Sequence, residues 1–232
     1  VLLISLSVFG LISIYNLFTA PVLKKASQPS DNRNLVSVLI PARNEEKNIE
    51  KCLKGVLAQT YQNKEIILLD DNSTDNTFKL VSSFNTSNVK VLIGKELPPD
   101  WLGKNWACHQ LAQEAKGKYL LFMDADVELT PEVISSAVYE LEKSKAALLS
   151  IFPTQIIKSF GEHLIVPLMN WLLLTFLPLR FVYSCSSKAF VAANGQFMLW
   201  KNDDYYTAGG HEKVKNKVVE DMELARLTKH NK

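Results

Sequence analysis

Cysteine is scarce in this chain: Cys52, Cys108 and Cys185 are the only three in 232 residues. They are too few and too scattered for a disulfide framework or a zinc cluster, and any pairing leaves one over, which favours a reducing compartment. An excess of one charge is missing as well. With 26 basic and 24 acidic side chains the formal charge is only +2, so there is no electrostatic footprint for nucleic acid. Just 9 Gly and 9 Pro exclude a collagen-like or linker-like chain, and 47% hydrophobic against 22% charged residues excludes a disordered one. Neither a Gly-x-Gly-x-x-Gly turn nor a Walker-type loop occurs, so a dinucleotide dehydrogenase or a P-loop enzyme would lack its phosphate cradle.

Hydrophobicity is unevenly spread. The first charged residue is Lys24, and the apolar stretch 1–23 is long enough, as a helix, to cross a hydrocarbon core of about 30 Å. It is expected to be a transmembrane anchor rather than a signal peptide, since no basic leader precedes it. Lys24, Lys25 and Arg33 follow, so the positive-inside bias puts the rest of the chain on the cytoplasmic side of the cell membrane. Residues 24–34, with Ser27, Pro29, Ser30 and Asn32, read as a linker, and 35–232 as one folded domain whose C-terminus is truncated. A second apolar stretch, 164–183, contains Pro167, Asn170 and Pro178, which argue against a spanning helix. An interfacial segment is expected there, with Trp171 and Tyr183 at the headgroups of membrane lipid.

Within the folded part, short β-rich runs at 36–40, 65–70, 89–94, 119–124, 147–151 and 196–200 are separated by helical patterns. Ile49, Leu53, Val56 and Leu57 fall on one helical face, with Asn44 placed as a cap. Thr130-Pro131 is a cap and first-turn pair, followed by Ile134, Ala137, Val138 and Leu141 on one face, and 105–115 is a weaker helix. Alternation of strand and helix predicts an α/β fold with a mostly parallel, Rossmann-like sheet and helices on both faces. In such a fold ligands gather at the carboxyl ends of the strands.

Three strands end in polar clusters: Pro41-Ala42-Arg43-Asn44-Glu45, Asp70-Asp71-Asn72-Ser73-Thr74-Asp75, and Asp124-Ala125-Asp126. A carboxylate pair two residues apart at a strand terminus supplies hard oxygen ligands suited to Mg²⁺ or Mn²⁺ that also holds a diphosphate. Such a triplet alone is weak evidence, because turns also use Asp for backbone hydrogen bonds. The run Leu120-Leu121-Phe122-Met123-Asp124-Ala125-Asp126 also fits the nucleophile motif of a haloacid-dehalogenase-type phosphatase. Order opposes that rival, since its motif belongs on an early strand and here three strand-helix units precede it.

Taken in order, Val36-Ser37-Val38-Leu39-Ile40-Pro41-Ala42-Arg43-Asn44-Glu45-Glu46, the Asp70 to Asp75 cluster, Asp124-Ala125-Asp126 and Glu220-Asp221 resemble glycosyltransferase family 2, with its GT-A fold. Trp101-Leu102-Gly103-Lys104-Asn105-Trp106-Ala107 and Asp204 to His211 resemble its membrane-bound branch acting on carotenoid acids and the hopanoid-associated transferases. The resemblance implies an inverting hexosyltransferase that moves sugar from a nucleotide-diphosphate sugar, UDP by preference, to a lipophilic acceptor. It implies that Pro41, Arg43 and Glu45 lie along the nucleoside, that Asp71 accepts from the uracil imide, and that Asp124 and Asp126 hold metal and diphosphate. Glu128 would be a further metal ligand, Lys104 a point charge on the diphosphate, Asp221 the catalytic base and Glu220 its orienter. Gly209, Gly210, His211 and Trp171 would lie in the acceptor region. Runner-up readings are a polyprenyl-phosphate glycosyltransferase and a nucleotide-sugar-binding module without turnover; the acidic start of a helix at Glu220-Asp221 is the plain alternative to a base.

Overall fold

A computed structural model of the chain describes residues 2–26, 33–84 and 88–229. The elements run α1 (Leu2–Thr19), β1 (Val36–Ala42), α2 (Ile49–Leu57), β2 (Lys64–Asp70), α3 (Thr77–Ser82), β3 (Val89–Ile93), α4 (Gly103–Glu114) and β4 (Tyr119–Met123). They continue with α5 (Val133–Ser144), β5 (Leu148–Ser150), α6 (Phe160–Phe176), α7 (Arg180–Ser184), β6 (Phe197–Lys201), α8 (Asn202–Ala208), α9 (Gly210–Lys213) and α10 (Glu220–Thr228). Two compact units result: a larger one of Leu23–Phe152 with Ala193–Asn231, and a smaller one of Val1–Val22 with Pro153–Ala192.

The larger unit is built on one six-stranded sheet in the order β3-β2-β1-β4-β6-β5. All five residues of β4 are buried, as are Val36 to Ile40 of β1 and Ile66 to Asp70 of β2. Near-continuous apolar runs of this kind mark strands covered on both faces. On α2 the buried stripe is Ile49, Cys52, Leu53 and Val56, while Leu57 is left 43% exposed. The stripe expected through Leu57 is thus rotated so that Cys52 takes the core place. Ile134, Ala137, Val138 and Leu141 of α5 are all buried, as their spacing predicts.

Two local expectations change. Asn48, not Asn44, precedes α2; Asn44 has φ of 57°, and its side-chain oxygen accepts from the Thr74 N–H at 2.8 Å, tying two loops together instead. β6 runs antiparallel to β4, with Met123 opposite Phe197 and Tyr119 opposite Lys201. That reversal matters for function. The residues that enter β6 are brought to the same edge as the residues that leave β4, and the Asp124 N–H donates to Gln196 O at 3.3 Å.

In the smaller unit α1 stops at Thr19, and 18 residues rise about 27 Å. Among the described residues no helix is long and apolar enough to cross a membrane, so the transmembrane helix expected over 1–23 is not supported. Asn16 of α1 is fully buried. Its Nδ2 donates to Leu174 O and Leu177 O at 2.8 and 2.7 Å, and its Oδ1 accepts from the Leu179 N–H at 2.9 Å. Ser13 and Thr175 bond beside it at 3.2 Å, and the Phe9 and Phe176 rings meet at 4.6 Å. α6 starts on a Ser159/Glu162 capping box and continues through Pro167 and Asn170 to Phe176. Polar groups are thus turned inward and Leu3, Leu6, Leu17, Leu164, Ile165 and Trp171 outward.

The expected linker is ordered where it is described: Lys25 Nζ lies 2.7 Å from Glu132 Oε1, and the Ala26 N–H donates to Ser136 Oγ. Ser27, Pro29, Ser30 and Asn32 lie outside the described residues. None of the three cysteines is in a disulfide, and Cys52 and Cys108 are buried.

Candidate active site

The carboxyl ends of β1, β2 and β4 open on a cavity of about 320 Å³ whose walls include Pro41, Arg43, Glu45, Asp71, Lys104, Asp124 and Asp126. Residues from four separate segments of sequence thus meet in one place. Parallel pairing extends past the strands, with the Asp71 N–H on Ala42 O at 2.8 Å, and Arg43 reaches within 3.6 Å of the Asp71 carboxylate. The rest of the Asp70 to Asp75 cluster is structural. Ser73 Oγ, Thr77 Oγ1 and Asp75 Oδ2 accept from the backbone N–H groups of Asn44, Glu45 and Glu46, locking the β1–α2 loop against the β2–α3 loop.

At the other end of the cavity, charges are concentrated. Lys104 Nζ lies 2.7 Å from Asp124 Oδ1 and 3.6 Å from Glu220 Oε1. Asp221 Oδ2 accepts from the Gly195 N–H at 3.0 Å, and its Oδ1 from the Met222 N–H at 2.7 Å. A Cβ at Gly195 would stand 3.3 Å from Lys104 Nζ and 3.4 Å from Glu220 Oε1, so the bare backbone is what lets these groups converge. Burial raises the Asp124 carboxyl above the ordinary carboxylate range, Lys104 opposes the rise, and Asp126 and Asp221 add to it. Burial lifts Glu220 likewise against the pull of Lys104. Burial lowers the Lys104 ammonium, but the two carboxylates beside it outweigh that and hold it above its usual value. One ammonium therefore serves a corner with four carboxylates, a charge balance that suits an added cation.

Asp124 and Asp126 lie on the cavity wall as hard oxygen donors of the kind that suits Mg²⁺ or Mn²⁺. Glu128 does not join them. It lies 3.5 Å from Lys51 Nζ and is half exposed, and among the described residues no group of three or more acidic, His or Cys side chains is arranged to hold a metal. Beyond the pair the chain repeats the acidic spacing, but Glu128 is engaged elsewhere.

Gly209, Gly210 and His211 form a helix junction. Gly209 and Gly210 have φ of 92° and 52°, and a Cβ on Gly210 would stand 2.6 Å from the Tyr205 ring. His211 is buried, its Nδ1 2.8 Å from the Tyr205 hydroxyl and its ring 4.7 Å from Phe122. Burial pushes its pKa down to about 3, so the ring is neutral. None of the three lines the cavity. Trp171, 54% exposed, belongs to α6 of the smaller unit.

Two contributors to the site escaped the sequence reading. Gly195 precedes a strand, where a glycine marks close backbone approach. Asn105 is 1% exposed, and its Nδ2 donates to the carbonyls of Val214, Lys215 and Lys217 at 2.9, 3.2 and 3.0 Å. It ties the first turn of α4, which carries Lys104, to the loop that leads into Glu220 and Asp221. No sequence signal announces a partnership more than a hundred residues apart.

A mixed sheet with flanking helices, opening at its carboxyl edge on a cavity lined by an Asp-x-Asp pair, defines a GT-A-type domain. The chain belongs to glycosyltransferase family 2, whose model matches residues 37–183. It is 31% identical over 193 residues to a 4,4'-diaponeurosporenoate glycosyltransferase of Staphylococcus haemolyticus, covering 82% of this chain and 50% of that one. The same identity over 205 residues relates it to a protein of that name from Staphylococcus aureus, covering 86% and 52%. The chain therefore spans about half the length of the curated relatives it matches. Among solved structures, a mannosyltransferase from Pyrobaculum calidifontis in complex with GDP-Man and Mn²⁺ is similar with a TM-score of 0.61 at 19% identity, over 89% of this chain and 54% of that one. S. aureus TarS 1-349 in complex with UDP-GlcNAc gives 0.53 at 18%, over 84% and 53%. These two likenesses concern the fold.

Proposed function

We propose that the chain carries the catalytic machinery for inverting transfer of a hexose from a nucleotide-diphosphate sugar to a lipophilic acceptor. The observation that carries this reading is the meeting of the Asp124/Asp126 pair with Lys104, Glu220 and Asp221 at one end of a cavity whose other end is lined by Pro41, Arg43, Glu45 and Asp71. The nucleoside lies along the second group, with Asp71 accepting from a uracil edge, which favours UDP. Mg²⁺ or Mn²⁺, held by Asp124 and Asp126, would supply charge stabilisation of the departing diphosphate. Asp221, oriented by the Gly195 N–H, takes the proton of an acceptor hydroxyl as the new bond forms. Glu220, beside it, holds Lys104 within reach of the leaving group.

A carotenoid acid is the favoured acceptor because the 31%-identical relatives are named for diaponeurosporenoate. The outward apolar side chains of the smaller unit support contact with membrane lipid, and Lys24 and Lys25 suit anionic headgroups of the cytoplasmic leaflet. A carboxylic acid is already ionised near neutral pH, so with that acceptor the base contributes little. Asp221→Asn tests the assignment: nucleotide binding stays, transfer to a hydroxyl acceptor falls by about 10²-fold or more, and transfer to a carboxylate acceptor falls far less. Undiminished transfer to a hydroxyl acceptor would remove Asp221 as base.

A further inference from the structure

We propose that Lys104 is a resident counter-ion that competes with the divalent cation for Asp124 and so makes cation binding depend on the nucleotide diphosphate. This rests on the reading of the cavity as a donor site and adds to it an order of events within that site.

The ammonium engages one of the two oxygens that Asp124 could offer a cation. Lys104 Nζ is 2.7 Å from Asp124 Oδ1, an oxygen of the one carboxylate pair on the cavity wall. A dication on that carboxylate would come within about 5 Å of the ammonium, where like charges repel strongly in a partly desolvated corner. Each therefore weakens the other's hold on Asp124. The backbone around Lys104 is fixed, since Asn105 next to it is tied to three carbonyls of the 214–217 loop. The side chain is not fixed in the same way. It is 42% exposed and carries its charge on a flexible four-carbon stem. Glu220 lies 3.6 Å from the ammonium, and the Lys104 side chain lines the cavity itself.

A diphosphate in the cavity changes the balance. Its oxygens attract the ammonium off Asp124 and at the same time supply ligands to the cation, so each binding event favours the other. By linkage, the factor by which UDP tightens Mn²⁺ equals the factor by which Mn²⁺ tightens UDP. Lys104 thereby offsets the Asp124 charge until donor arrives, and then serves the leaving group.

The experiment measures Mn²⁺ binding by the loss of the free-ion electron paramagnetic resonance signal, with and without UDP, on the full chain and on Lys104→Met and Lys104→Arg. The wild-type chain should bind Mn²⁺ weakly alone and much more tightly with UDP. Lys104→Met should tighten Mn²⁺ alone by on the order of tenfold, weaken UDP in the presence of Mn²⁺, and shrink the linkage factor. Lys104→Arg keeps the charge and should keep Mn²⁺ alone weak. If Lys104→Met and wild type bind Mn²⁺ alone equally while both bind UDP with Mn²⁺, the counter-ion role is refuted and the donor site stands. If the wild-type chain binds neither UDP nor Mn²⁺, the donor-site reading itself falls.

Discussion

Asn105→Ala separates a residue that builds the site from one that merely sits near it. The Asn105 amide spreads its two N–H groups over three carbonyls, those of Val214, Lys215 and Lys217, in a place where its side chain is 1% exposed. Truncation removes two net hydrogen bonds, about 1 kcal/mol each, and leaves at least one carbonyl poorly paired at about 1–2 kcal/mol more, for a total of about 3–4 kcal/mol. Asn105→Asp is the sharper arm. It preserves shape but points a carboxylate oxygen at the same carbonyls, so it should cost more than alanine does. Urea unfolding followed by tryptophan fluorescence at pH 7.5 gives both values, and calorimetry with UDP and Mn²⁺ should show weaker binding, because α4 and the loop before α10 lose their tie. An alanine variant within 0.5 kcal/mol of wild type, or an aspartate variant as stable as the alanine one, would refute this account of the amide.

Gly210→Ala should destabilise the chain by about 2–4 kcal/mol, combining a left-handed backbone with a Cβ driven into the Tyr205 ring, and a thermal midpoint unchanged from wild type would contradict it. His211 titrates near 6.5 when unfolded and near 3 when folded. The unfolded chain therefore takes up a proton the folded one refuses, so this contribution to stability is complete above about pH 6.5 and is lost progressively as pH falls toward 3. His211→Asn should flatten the acid limb of a stability profile by up to about 1.4 kcal/mol per pH unit, and an unaltered slope would show that the ring is not buried neutral. Gly195→Ala should leave stability within about 1 kcal/mol while crowding Lys104 and Glu220, so the transfer rate falls at least several-fold and the unfolding midpoint hardly moves; equal losses in both would assign the glycine to folding alone.

Much of the fold was legible because local periodicity carries it. The apolar runs of β1, β2 and β4 and the spacing of Ile134 to Leu141 depend on neighbours along the chain, and they stand where the pattern puts them. What the pattern could not carry was set by distant partners. β6 is antiparallel to β4, and nothing in the local pattern of Phe197 to Lys201 announces that direction. Asn44 has the chemistry of a helix cap, yet Thr74 offers it a better use thirty residues away. The apolar 1–23 stretch reads as uniformly lipid-facing, yet Asn16 within it is bonded to the carbonyls of Leu174 and Leu177. Gly209, Gly210 and His211 are expected in the acceptor region, whereas Gly210 and His211 are buried against the Tyr205 hydroxyl. The candidate site divides the same way. Residues at strand ends were found from the order of elements, whereas Gly195 and Asn105 act through contacts that appear only in three dimensions.

The most direct test of the donor site is calorimetry of the full chain with UDP and with GDP, each with and without Mn²⁺, repeated on Asp126→Ala. The account predicts binding of a nucleotide diphosphate that strengthens with Mn²⁺, with that strengthening lost in Asp126→Ala. Failure of both nucleotides to bind, or binding indifferent to Mn²⁺ and to Asp126, would contradict it.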